Sequence, residues 1–183
     1  MAIRNMIYSD EPLLRKKCRV VDNFDENLWQ LLDDMNDTMY KYDGVGLSAP
    51  QVGILKRIIV IDPGTGPRVL INPVITKKSG SQTGEEGCLS SPNVFGNVDR
   101  PKNVTVEYFD IDGKKQTLKA EDLEAVILCH EIDHLDGVLF LDKAYDVYKL
   151  SDEEIEAAKR EAEELERKEQ EKAKKKNKNC KRK

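Results

Sequence analysis

Ala120-Glu-Asp-Leu123-Glu-Ala-Val126-Ile127-Leu-Cys129-His130-Glu131-Ile-Asp133-His134 decides both the fold and the chemistry to be expected of this chain. Leu123, Val126, Ile127, His130 and His134 recur at steps of three and four, which predicts a helix with one inward stripe, so the histidines face the core. The chain has two histidines, and both lie here. Positions i and i+4 share a helix face, so His130 and His134 can close on one metal ion, with Glu131 beside them as a proton-transfer group. The alternative is a pair of core histidines satisfied by backbone carbonyls.

Upstream, Leu28, Leu31, Leu32, Met35, Met39 and Tyr42 describe an amphipathic helix from about Asp25 to Asp43, with Gly44 as its stop. Between the helices, the loop Gly44–Gly53 leads into Arg57-Ile-Ile-Val-Ile-Asp62, a β-branched run that reads as a buried strand. Val69–Pro73 and Asn103–Phe109 are further strands, the second turning at Asp112-Gly113 into Lys115–Leu118 as a hairpin. Helix, strands, then helix predicts an α+β fold, with mixed or antiparallel β-sheets packed around the metal-binding helix. Downstream, Ser151-Asp-Glu-Glu154 is a capping box opening a charged helix with a thin apolar stripe. A basic tail, Lys172–Lys183, is expected to be disordered. The expected organisation is a catalytic domain over 1–150 and a charged appendage over 151–183.

At 183 residues the chain is long enough for about one domain with its own core. Its net charge of −4 is a local imbalance, since residues 152 to 171 carry ten acids and four bases whereas 172 to 183 carry bases and no acid. No apolar run approaches the ~20 residues of a membrane-spanning helix. The start also lacks a signal-peptide apolar region, so no membrane association and a cytoplasmic location are expected. Cys18, Cys88, Cys129 and Cys180 are scattered without a CxxC, which suits free thiols or a ligand better than a disulfide framework.

Two histidines leave a tetrahedral catalytic site one protein ligand short. A metzincin continuation would need a third histidine where Phe140 stands. A thermolysin-like site would need a glutamate from the acidic helix after Ser151, whose acids resemble a solvated face. Paired upstream cysteines for a zinc finger are missing. Cys88, in Gly84-Glu-Glu86-Gly-Cys88-Leu89-Ser-Ser-Pro92, is the candidate third ligand, whereas Cys129 points about 100° away from His130 around the helix. An internal zinc peptidase and a structural metal module with a recruiting tail remain alternatives at this point.

Gly44-Val45-Gly46-Leu-Ser48-Ala-Pro-Gln51, Glu86-Gly-Cys88-Leu89-Ser90 and His130-Glu131-Ile-Asp-His134 stand in that order. Together they resemble the GxGLAAPQ, EGCLS and HExDH strings of the peptide deformylase family over roughly residues 1 to 150. Ser48 departs from the family pattern, where Ala is usual. The glycine loop lacks the Gly-Lys-Ser/Thr ending of a phosphate cradle and leads into a strand, so a nucleotide role is not expected.

The resemblance implies a metal-dependent hydrolase that removes the N-formyl group from the initiator methionine of nascent polypeptides and releases formate. It implies Cys88, His130 and His134 as ligands and Glu131 as the proton-transfer group. Gln51 and the Leu89 backbone N–H would hold the formyl oxygen, and Gly46 would give a backbone contact to substrate. It further implies that Val45, Leu123, Val126 and Ile127 line a methionine pocket, against the alternative of ordinary core packing. The sulfur and nitrogen donors suit Fe(II), Zn(II), Ni(II) or Co(II), and the resemblance points to one Fe(II) per chain in the cell. The basic tail is a candidate for docking to ribosomal RNA, or a solvated tail.

Overall fold

The computed structural model describes residues 2–157 together with 160, 164, 167 and 168. The chain divides into two units, Met1–Val147 and Tyr148–Lys183, and everything described below for the site lies in the first.

Helix α1 (Glu26–Lys41) begins where Asp25 accepts the Leu28 amide at 3.0 Å, satisfying one of the open N–H groups of the first turn. It ends as the Gly44 amide reaches Met39 O, but Asp43 takes the left-handed turn with φ 57° instead of Gly44. Glycine at 44 answers a different constraint: a Cβ there would come within 2.7 Å of Leu89 Cδ1. The loop that follows contains a short strand, β1 (Gly46–Ser48), and a 3₁₀ turn over Ala49–Val52, neither of which the sequence announced.

Strand β2 (Ile58–Ile61) is buried along its whole length, as its sequence predicts. Its residues alternate between two helices. Ile58 and Val60 join the cluster around α1, with Met35, Met39 and Ile71, whereas Ile59 and Ile61 join the cluster under α2 (Asp122–Leu135), with Leu70, Val106, Leu128 and Ile132. The expected Val69–Pro73 strand is the start of a longer one, β3 (Arg68–Ser79). Its pairing slips between Ile71 and Val74, where Asn72 takes φ 52° and Pro73 needs no ladder hydrogen bond. The Asn72 side chain turns this irregularity into a tie by exchanging two 2.8 Å hydrogen bonds with the Val21 backbone.

Strands β6 (Asn103–Phe109) and β7 (Lys115–Glu121) form the expected hairpin and complete a five-stranded sheet in the order β1-β2-β3-β6-β7, whose resolved pairs are antiparallel. Because β7 runs to Glu121, α2 begins at Asp122 and not at Ala120. A second sheet orders β4 (Gln82–Cys88), β5 (Ser91–Arg100) and β8 (Tyr145–Lys149). The fold is α+β, with antiparallel pairing and a helix against each face of the larger sheet.

In the second unit, Ser151 and Glu154 form the expected capping box: the Glu154 carboxylate accepts from the Ser151 N–H and hydroxyl, both at 2.8 Å. Residues 152–157 are helical. The remainder of the charged helix is described only at isolated positions, and the basic tail from Lys172, with Cys180, lies outside the described residues. Among the described residues no helix is long and apolar enough to cross a membrane.

Candidate metal centre and active site

Hairpin β4–β5 delivers Cys88 to α2. Cys88 is the last residue of β4, at a register shift in the ladder, and its Sγ lies 3.3 Å from His134 Nε2. One potential ligand atom from each of Cys88, His130 and His134 falls within 4.8 Å of the others. Cys18 and Cys129 are instead buried in the cluster under α2, as packing residues, and burial pushes the Cys18 thiol up to about 11.

The outward nitrogen of His130 is fixed by a chain of charges. His130 Nδ1 sits 2.8 Å from Glu86 Oε2, leaving Nε2 free to face the cluster. Arg100, at the end of β5, holds Glu86 through Nε at 2.7 Å and Nη2 at 2.9 Å, and reaches Asp133 of α2 through Nη1 at 2.5 Å. Lys143 completes the group at 2.6 Å from Asp133. Burial alone would raise the Glu86 carboxyl, but its bonds to Arg100 and His130 outweigh that and hold it at about 2. Glu86 is therefore a fixed anion that orients the imidazole, the arrangement that supports a metal-ligating histidine.

Sequence reasoning did not single out Glu86, Arg100 or Asp133. Two signals were present: Glu86 is two residues from Cys88 on one strand, hence on its face, and Asp133 is three residues from His130 on one helix. Arg100 could be placed only once the hairpin register was known.

Glu131 is 4% exposed, and burial pushes its carboxyl up to about 7. Its Oε2 and His134 Nδ1 find no hydrogen-bond partner among the described residues. Burial also lowers the His134 ring well below the usual range, so it is neutral and able to donate an electron pair. Gly46 passes so close to Glu131 that a Cβ would lie 2.5 Å from Oε1.

Gln51, on the 3₁₀ turn, is 1% exposed and its amide has one orientation. Oε1 accepts the Ser48 N–H at 2.8 Å and the Ser48 hydroxyl at 2.7 Å, which turns Nε2 toward Cys88 Sγ at 3.5 Å and Ser90 Oγ at 3.2 Å.

One cavity of about 630 Å³ gathers these groups. Gly46, Gln51, Cys88, Leu89, His130 and Glu131 line it, as do Val45, Leu123, Val126 and Ile127. Ile127 is buried, whereas Val45 and Leu123 are 53% and 60% exposed, so those two face open space as well as the cavity.

A thiol and two imidazoles, one of them oriented by a buried carboxylate, form a donor set for a borderline transition metal, and the residues fit such an ion. Where a thermolysin-like site would need a glutamate, the Cys88 sulfur stands beside the two imidazoles as a third possible donor.

The sequence matches the Polypeptide deformylase family over residues 3–150. It is 50% identical over 166 residues to a peptide deformylase of Caldicellulosiruptor bescii, an alignment spanning 91% of this chain and 99% of that one. The fold superposes on the crystal structure of peptide deformylase from Thermotoga maritima with a TM-score of 0.78 at 41% identity, covering 79% of this chain and 99% of the other. It also matches a peptide deformylase from Synechococcus elongatus in complex with actinonin, with a TM-score of 0.76 at 44% identity, covering 78% and 79%.

Proposed function

Because the chain belongs to the polypeptide deformylase family, and is therefore a metal-dependent hydrolase that removes the N-formyl group from nascent peptides, we propose that it does so with Cys88, His130 and His134 as ligands and Glu131 as the proton-transfer group. The observation that carries this assignment is the meeting of those three donors, two of which, Cys88 and His130, line a cavity shared with Glu131 and Gln51.

A divalent cation held by Cys88, His130 and His134 would supply Lewis acidity toward the formyl carbonyl and would lower the pKa of water. Glu131, buried and carrying an unpartnered carboxylate oxygen, takes a proton from the attacking water and returns it to the departing amine. Gln51 Nε2 and the Leu89 N–H donate to the oxygen on which charge develops, and Gln51 does so without reorganising because its Oε1 is already committed. Glycine at 46 leaves Glu131 its place and lets substrate backbone approach. Val45, Leu123, Val126 and Ile127 supply the apolar wall for the methionine side chain.

The donor set accepts Fe(II), Zn(II), Ni(II) or Co(II), and Fe(II) is the cation we assign in the cell. The cell compartment we assign is the cytoplasm, and the basic tail Lys172–Lys183 is a docking segment for ribosomal RNA.

Anaerobically purified protein is expected to release formate from a formyl-Met peptide and to carry one metal ion per chain. Cys88→Ala should lose the ion and the activity together. Retention of metal by that variant would transfer the third position to another residue. Actinonin, bound by the Synechococcus relative, is expected to compete with substrate for the same cavity.

A further inference from the structure

Ser48 is the one position at which the glycine-rich string departs from its family pattern, and its hydroxyl lies inside the site. The residue is fully buried. Its Oγ donates to Gln51 Oε1 at 2.7 Å, alongside the 2.8 Å bond from its own N–H to the same oxygen.

The backbone bond and the hydroxyl bond do different things. The N–H is a donor only, so it forbids the flipped amide, in which two N–H groups would face each other; alone it fixes which end of Gln51 faces Cys88. The hydroxyl adds a second donor to an oxygen with two lone pairs. A carbonyl that accepts two hydrogen bonds is polarised further, and polarisation passes along the amide to make Nε2–H a stronger donor. With alanine at 48, one lone pair of a buried acceptor would go unmet.

We propose that Ser48 is a positioning residue of the deformylase reaction, whose hydroxyl strengthens Gln51 as the donor to the developing oxyanion. The proposal rests on the role assigned to Gln51 above. Ser48 touches no reacting atom and acts through its neighbours.

The test uses full-length, metal-loaded protein and four forms: wild type, Ser48→Ala, Gln51→Ala and the double variant. Ser48→Ala is expected to lower kcat about 3- to 10-fold with KM unchanged within about twofold, the signature of an interaction made mainly in the transition state. In the Gln51→Ala background the same change should have almost no further effect on kcat, because the partner is gone. Independently of turnover, the Gln51 side-chain NH₂ resonances of the zinc-loaded protein should move upfield in Ser48→Ala while metal content holds. An equal loss of kcat in both backgrounds, or unmoved Gln51 resonances, would overturn the proposal. A wild-type protein that releases no formate would overturn the functional assignment instead, leaving the resonance test of Ser48 intact.

Discussion

Helices α1 and α2 lie against opposite faces of the same sheet, with similar lengths of 16 and 14 residues, yet they answer different demands. The sheet-facing side of α1 is apolar, and its buried polar groups, Asp34 and Thr38, hold the N-terminal segment and brace the helix: Asp34 accepts from the Ala2 amide, Arg4 and Gln30, and Thr38 accepts from the Arg4 amide. Helix α2 is buried nearly all round its C-terminal half, and there it carries His130, Glu131 and His134. Glu131 Oε2 and His134 Nδ1 stay unpartnered, while Glu86 and Arg100 from the second sheet support the rest. One helix is built for stability; the other keeps costly polar groups at the positions to which the proposed chemistry is assigned.

The sharpest test of this contrast is Glu131→Gln. Turnover should fall about 10²- to 10⁴-fold, the usual worth of a positioned proton-transfer group, while the melting temperature holds or rises because a buried ionisable carboxyl is removed. A large fall in melting temperature would mean that Glu131 is structural.

Arg100→Met should cost about 3–5 kcal/mol in denaturant unfolding, because Glu86 and most of the pairing of Asp133 lose their cation inside the protein. Metal affinity should fall about 10- to 100-fold in the same variant, since Glu86 would no longer orient His130. A titration with a chromophoric chelator reads this directly.

On the other side of the sheet, Met35→Ala should cost about 2–5 kcal/mol through the cavity it leaves, yet metal affinity and kcat at low temperature should match wild type. An altered metal affinity would show that the two faces are coupled through β2.

The mildest effect is pH-dependent. The Ala2 amide, with Gln30 and Arg4, holds the Asp34 carboxyl below its usual range. A carboxyl depressed in the folded state contributes stability that is fully present above its unfolded pKa and lost as pH falls through the folded value. Melting curves of Asp34→Asn should therefore lie below wild type at pH 7, by about 1–2 kcal/mol for the weakened hydrogen bonds, and converge with it under acid.

Both helices were legible in the sequence because periodic apolar residues at three- and four-residue steps have a direct physical reading, and so was β2, a run of β-branched residues. Strand β5 was not. Its Ser-Pro-Asn-Val-Phe-Gly-Asn-Val-Asp-Arg mixes polar residues and glycine, and its form comes from pairing with β4 and from Gly96 passing Ala144 and Val147, where a Cβ would lie 3.0 Å from each. The histidine pair and Cys88 were visible as residue types. That Ser48 reaches Gln51 was not, because the contact exists only once the 3₁₀ turn folds the two together.

Hairpin β4–β5 has a consequence for the order of assembly. His130 and His134 are neighbours on one helix turn, available to a cation as soon as α2 forms, but Cys88 stands 46 residues from His134 and 37 from Gln51 along the chain. The sulfur reaches the histidines only after a long loop closes, a contact far less local than the pairing of the two imidazoles. On the ligand set proposed above, a cation captured before that closure would be held by two nitrogens alone, and the hairpin would bring the sulfur that completes the set.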